Sequence, residues 1–410
     1  MRRVPPFPTL LQRLCLCLCL LLAACQKLSP QQEREQRLAA SRGDLLVALA
    51  WPLGGGKSTL LKGVQLATEQ VNAGGGAFDG RALRLLVKDD GGTLAHGRMA
   101  AQEIANHEDV VATIGHLNTF IAIPAARIYE RAGILYLSPG SSGNKLTEGG
   151  SSLTFRTLQN NSDQGRQICD YARSQGLHNI AVYYIKNEYG TDLANHFEQQ
   201  CREMGVQIAD RRSYRMGGDH YAAVMHDWAS LLHFDAIFLA GSLPESAQIV
   251  REARQAGIRV PIFGAAGLDS LQLIELGGRD VEGVVVFSQF SHQTPRPEVA
   301  AFVKAYQARF GTLPDSSAAQ GYDTMMLLAR ALRDARSAVP ARIAESLRQV
   351  RGFQGVTGAF DVSASGDVIG KVMTPLVVRE GRFQRLEAPA LATSAAAGGA
   401  AASDAAVPPP

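Results

Sequence analysis

One stretch constrains this chain more than any other: residues 110–147, VVATIGHLNTFIAIPAARIYERAGILYLSPGSSGNKLT. Val110 to Ile114 is a short apolar run closed by Gly115, the length of a buried strand rather than of a helix. A helical stretch follows, with Thr119 placed to cap it, and a second apolar run from Gly133 to Leu137 leads into SPGSSGN. Strand, helix and strand in immediate succession make a βαβ unit, whose parallel strands deliver both loops to one carboxyl edge. Open α/β sheets hold small ligands at that edge. Thr119, Ser138, Ser141 and Ser142 are accordingly predicted to line one concave wall.

The same rhythm runs through most of the chain. From Asp44, the strands DLLVALA and LRLLVKD alternate with helical stretches over 60–71 and 94–107 before that unit is reached. After LTFRT, which ends at Thr157, the pattern restarts with helix 163–175, strand NIAVYYI, helix 193–204 and a strand over 206–214. Helix 221–231, strand DAIFLAG, helix 247–256 and strand VPIFGAA complete it. Alternation with short polar connections predicts parallel sheets covered on both faces. A length of 410 residues exceeds one such domain. The fold class is therefore α/β, with two doubly wound, Rossmann-like parallel-sheet lobes.

Helices predicted at 297–310 and 318–335 fit the first lobe better than the second, so the chain crosses between lobes more than once and makes a hinge. This assigns 44–158 and 289–355 to an N-terminal lobe, and 159–288 and 356–386 to a C-terminal lobe. Residues 358–385 read as a terminal hairpin, and 387–410 as an Ala/Pro-rich tail that cannot form a core.

At the N-terminus, Arg2, Arg3 and Arg13 precede the apolar run LCLCLCLLLAA, about the length of a signal-peptide core and short for a bilayer span. The run ends in Leu22-Ala23-Ala24-Cys25, which resembles the lipobox of bacterial lipoproteins and implies cleavage after residue 24 with lipid on the Cys25 thiol. Residues 25–43 then read as a polar tether. Gln26 follows the cysteine where an Asp would favour the inner membrane, so the choice of membrane stays open. Removing the three leader arginines takes Lys+Arg from 41 to 38, equal to the 38 Asp+Glu, and no basic face for nucleic acid is implied. Beyond the leader and Cys25, only Cys169 and Cys201 remain, on helices flanking NIAVYYI in a compartment that permits disulfides; contact is plausible and the pairing open.

Several motifs carry less than they suggest. WPLGGGKST follows a strand and opens a helix, but Trp51 stands where a phosphate-cradling P-loop needs its first glycine. The bland reading is that Gly54 to Gly56 turn tightly and leave space above the sheet. The serines of SPGSSG have no G-x-S-x-G elbow and no evident base, so a hydrolase is not indicated. Their hydroxyls and loop N–H groups suit a carboxylate or amide oxygen. Asp89 and Asp90 end one strand together; one is expected to cap the helix at Leu94 and the other to be solvated. No Cys/His spacing predicts a metal, and no cofactor is implied.

The residues match a family at this point. IGHLNTFIAIPAARIYERAGILYLSPGSSGNKLT closely resembles type I periplasmic binding proteins of branched-chain amino acid ABC transporters, the Leu/Ile/Val-binding group. WPL with GVQLATEQVNAGGG, VKDD, FRT at 155–157, Tyr189-Gly190, GYD at 321–323 and GAFD extend the resemblance over 44–385. It implies two lobes joined by three crossovers, closing on a small amino acid-like ligand and presenting it to an ABC permease in the inner membrane, without catalysis. It further implies a carboxylate held by Thr119, Gly140, Ser141 and Ser142, with Gly56 in the first loop. Tyr189, Ser242 and Ala266 would face them from the second lobe.

Ala266 departs from the family, which places an acid there for the ligand ammonium; Glu245 or Asp269 stands near enough in sequence to substitute. Gly92 and Asn118 lie near the positions of the family's first-lobe disulfide. A second reading is a ligand-free interaction module of the same fold that regulates an envelope protein.

Overall fold

The computed structural model describes residues 28–54, 58–218 and 220–386. The leader, Cys25, Gly56 and the 387–410 tail, all named above, lie outside the described residues.

The chain enters through α1 (Pro30–Ala40) and then builds β1 (Leu45–Trp51), α2 (Thr59–Ala73), β2 (Leu83–Asp89), α3 (Leu94–Asn106), β3 (Val110–Gly115), α4 (Thr119–Ala132), β4 (Leu135–Ser138), α5 (Lys145–Glu148) and β5 (Thr154–Arg156). The strands form one parallel sheet in the order β2-β1-β3-β4-β5. β3 and β4 are buried on both faces, as parallel strands under two helical layers must be. Ser58 and Thr93 cap α2 and α3 by accepting backbone N–H bonds. The strand order reverses between β1 and β3, so the crevice of this lobe opens above Trp51 and Gly115.

The second set runs α6 (Asn161–Ser174), β6 (Asn179–Ile185), α7 (Glu188–Glu203), β7 (Gln207–Tyr214), α8 (Tyr221–Leu231), β8 (Ala236–Ala240), α9 (Glu245–Gln255), β9 (Ile262–Gly264), a 3₁₀ turn (Ala266–Leu268), α10 (Leu271–Gly277), a second 3₁₀ turn (Gly278–Val281) and β10 (Val285–Ser288). Its sheet has the order β15-β14-β10-β9-β8-β6-β7. The winding of the first lobe is repeated, with the switch between β6 and β8. Cys169 on α6 and Cys201 on α7 form a disulfide, with Cα atoms 5.5 Å apart. The pairing left open by the sequence is thereby settled.

The chain then returns through α11 (Pro297–Phe310), α12 (Ser316–Ala335) and α13 (Pro340–Arg348), followed by β11 (Phe353–Gly355), β12 (Gly358–Val362), β13 (Val368–Ile369), β14 (Thr374–Arg379) and β15 (Arg382–Arg385). α12 crosses α2 with almost no gap. A Cβ on Gly63 would strike the Ala318 carbonyl, and one on Gly321 the Leu60 carbonyl.

Two expectations are corrected. The predicted terminal hairpin is really two structures: β12 and β13 pair with β11 in a small antiparallel sheet, while β14 and β15 join the second lobe's sheet. Phe360, Val362 and Val368 pack into the first lobe's core with Val47 and Leu49, so the third passage falls at 370–373, later than the predicted break at 355–356.

The predicted tether is also corrected, because residues 30–40 form a docked helix. Leu38 is buried, and the guanidinium of Arg34 donates to the carbonyls of Ala105, His107, Glu108, Val110 and Ala132. Those carbonyls terminate α3 and α4 or open β3, and one planar cation meets all of them.

Candidate functional site

Each functional candidate among the described residues sits where a strand hands over to a helix. In the first lobe, Asn118 occupies the cap position of α4 and Thr119 is its first helical residue, one step from the predicted capping role. The Thr119 hydroxyl accepts from Ser141 Oγ at 3.1 Å, and the Ser141 N–H donates to Ser138 Oγ at 3.1 Å. Thr119, Ser138, Ser141 and Ser142 are all buried. The β3 and β4 loops are therefore stitched into one wall.

Trp51, ending β1, closes over that wall. A Cβ on Gly140 would come within 2.5 Å of the Trp51 indole and 2.9 Å of Leu117 Cα. Gly140→Ala is expected to destabilise the chain by roughly 1–3 kcal/mol, the usual cost of overpacking. Urea unfolding checks this, and an unchanged midpoint would show that the indole simply moves aside.

Beneath the wall lies a polar network that sequence reasoning missed. Asp90 is buried and accepts from His116 Nδ1 at 2.7 Å, while His116 Nε2 meets the Tyr129 hydroxyl at 2.9 Å. The imidazole thus bridges the carboxylate and the phenol through its two ring nitrogens. Burial pushes the Tyr129 hydroxyl well above its ordinary range, which suits a donor that stays protonated. The Tyr136 hydroxyl accepts from the His116 N–H at 3.0 Å and fixes the loop before Thr119. Thr93 rather than an aspartate caps α3, so the predicted capping role is corrected, while Asp89 is exposed as expected of one of the pair and accepts from the Leu53 and Gly91 N–H groups. The available signal was a histidine and an aspartate each ending a strand on the same edge.

In the second lobe, Tyr189 lies in the first turn of α7 and its hydroxyl accepts from the Gly267 N–H at 3.3 Å. Burial raises that phenol to about 12. Ala266 opens the 3₁₀ turn held by this contact, and the Ser242 N–H donates to the Tyr214 hydroxyl at 3.3 Å. The two lobes meet beside these residues. The Asn144 N–H, following Ser141 and Ser142, donates to Asp192 on α7 at 3.0 Å, and Asn161 Nδ2 donates to the same carboxylate oxygen at 2.8 Å. Tyr189 is thus brought to the side of the cleft where the 138–144 loop lies.

Neither nearby acid is unpartnered. Glu245 accepts from the Gly217 N–H at 2.9 Å within its own lobe. Asp269 accepts from Ser288 Oγ at 2.6 Å and from Ser316, the first residue of α12 in the other lobe. Burial raises the Asp269 carboxyl to about 6 from 3.8. The native state therefore binds this proton more tightly than the unfolded chain does. The stabilisation is full below about pH 4 and lost as pH rises through 6. Asp269→Asn is expected to flatten this part of the pH–stability profile, measured as unfolding midpoints in urea. The same slope in both proteins would reject the assignment.

Comparison with known proteins extends this geometry. The family model "Periplasmic binding protein" matches residues 47–381. A curated relative, Leu/Ile/Val-binding protein homolog 1 of Brucella suis, is 28% identical over 336 residues, covering 79% of this chain and 87% of its own. An ABC transporter substrate-binding protein from Desulfitobacterium hafniense, solved in complex with Leu, superposes with a TM-score of 0.76 at 33% identity over 84% of this chain and 100% of that one. A leucine-binding protein from Thermotoga maritima gives 0.78 at 27% identity, covering 84% and 98%. These relatives are binding proteins, the Desulfitobacterium one a substrate-binding protein of an ABC transporter, and not enzymes. The chain belongs to the periplasmic binding protein family, in the type I group that contains the Leu/Ile/Val-binding proteins.

Proposed function

We propose that this chain is the lipid-anchored solute-binding component of an ABC importer, fixed to the envelope through Cys25 on the periplasmic side. It closes its lobes on a small amino acid-like ligand and delivers it to a permease in the inner membrane. One observation carries the reading. The Ser141–Thr119 hydroxyl pair and the 138–144 loop lie buried at the carboxyl edge of the first sheet, with Tyr189 on the adjoining lobe. Hydroxyls and loop N–H groups there bind a carboxylate without reacting with it. The leucine complex of the Desulfitobacterium relative supports an aliphatic amino acid as the first ligand to test.

A second reading follows from the other lobe. Ala266 offers no charge, and Glu245 and Asp269 are engaged by protein partners. That arrangement favours a carboxylate or amide lacking an ammonium, or a ligand-free regulator of an envelope protein.

Thermal shift and calorimetry with amino acids, amides and short peptides separate these. A bound ligand at a hundred times its Kd stabilises the native state by about 2.7 kcal/mol. Ser141→Ala is expected to weaken binding by roughly tenfold or more, the value of a hydrogen bond to a charged group. A flat response to the whole panel would exclude import of these solutes and favour the regulator.

A further inference from the structure

We infer that the amino-end pole of the first lobe, where α1 is docked, is the surface held against the lipid bilayer. The inference rests on the proposed lipid attachment at Cys25.

The argument starts from how firmly α1 is held. Its first turn is closed by a reciprocal cap: Ser29 Oγ accepts from the Gln32 N–H at 3.3 Å, and Gln32 Oε1 accepts from the Ser29 N–H at 2.9 Å. Two residues after Gln32, Arg34 donates from its guanidinium to five backbone carbonyls of the lobe, and Leu38 is buried in the lobe's core. Removing the cation would leave several carbonyls at the ends of α3 and α4 without a partner. The helix is thus an integral element of the lobe, and no flexible stretch separates it from β1 beyond residues 41–44.

The helix also fixes position. Arg34 touches the Val110 carbonyl, where β3 begins, so α1 lies across the amino edge of the parallel sheet. Thr119 and Ser141 stand at the opposite, carboxyl edge. Between Cys25 and Pro30 there are five residue steps, a reach of at most about 18 Å even when fully extended. The six residues of β3 separate the two edges by a further ~20 Å. A lipid on Cys25 therefore restrains the amino edge closely and the ligand wall only through the body of the lobe. The amino edge of the second sheet, at Asn179, lies beyond the cleft.

The test uses lipidated full-length protein in vesicles of phosphatidylethanolamine and phosphatidylglycerol carrying a headgroup-labelled acceptor lipid. A donor dye is placed on Asp109→Cys at the first pole or His178→Cys at the second, both exposed. Cys169 and Cys201 are paired and do not compete for label. Energy transfer is expected to be severalfold higher from position 109. A Gly-Ser insertion between Lys27 and Leu28, which leaves the helix intact, should lower the transfer at 109 towards that at 178, and Arg34→Ala should do the same by undocking the helix. Vesicle-bound protein with equal transfer from both poles, or an insertion without effect, overturns the orientation alone. Protein that stays in the aqueous phase on detergent partitioning overturns the anchor and the orientation with it.

Discussion

Replacing Arg156 by methionine is expected to cost roughly 3–5 kcal/mol of stability, the range for breaking a buried ion pair from one side. Arg156 ends β5 with its side chain fully buried. Its Nε donates to Asp367 at 2.9 Å, Nη2 to the Thr147 hydroxyl at 2.9 Å and Nη1 to the Ser141 carbonyl at 3.4 Å. Burial lowers the Arg156 pKa and the Asp367 carboxylate opposes that shift. Asp367 precedes the third passage between lobes, while Ser141 belongs to the candidate ligand wall. The variant is therefore expected to lose ligand affinity as well as stability. Arg156→Lys keeps the charge and loses the fork, and should fall between the two. Removing both ions together, as Arg156→Met with Asp367→Leu, should recover part of the loss. A single variant that unfolds within about 0.5 kcal/mol of the parent, the range of ordinary surface changes, would dismiss this account.

The second large effect is expected at the Cys169–Cys201 bridge. The cysteines are 32 residues apart and join the neighbouring helices α6 and α7 within the second lobe. Closing a loop of that length restricts the unfolded chain by an amount equivalent to roughly 3–4 kcal/mol. The Cys169→Ala, Cys201→Ala double variant should unfold at correspondingly lower urea. Reductant should bring the parent down to the same midpoint and leave the variant unmoved. Identical midpoints for parent and variant in oxidising buffer would rule out a structural role.

Much of the fold was legible because its signals are local. Short apolar runs such as VVATIG can be buried strands whatever surrounds them, and their alternation with helices dictates parallel pairing. Strand ends then place Thr119, Ser141 and Tyr189 at an edge without further information. What was not legible depends on partners distant in sequence. Residues 30–40 look like a solvated tether because the acceptors of Arg34 are backbone carbonyls at 105–132, which no side-chain pattern announces. Asp90 looks solvated until His116 is brought across β1 to meet it. The alternation in 358–385 predicts strands correctly, but it cannot say that β12 serves one lobe and β14 the other. Pairing of Cys169 with Cys201 needed the separation of two helices, not a spacing.

The crossing of α2 by α12 and the packing of Phe360, Val362 and Val368 beside Val47 carry a consequence for biogenesis. The N-terminal lobe is the first to leave the ribosome, yet its core is completed by residues emerging some three hundred positions later. Sequence-distant contacts of this kind make folding slow. The second lobe, nearly continuous in sequence, can assemble while the first still waits with its sheet uncovered.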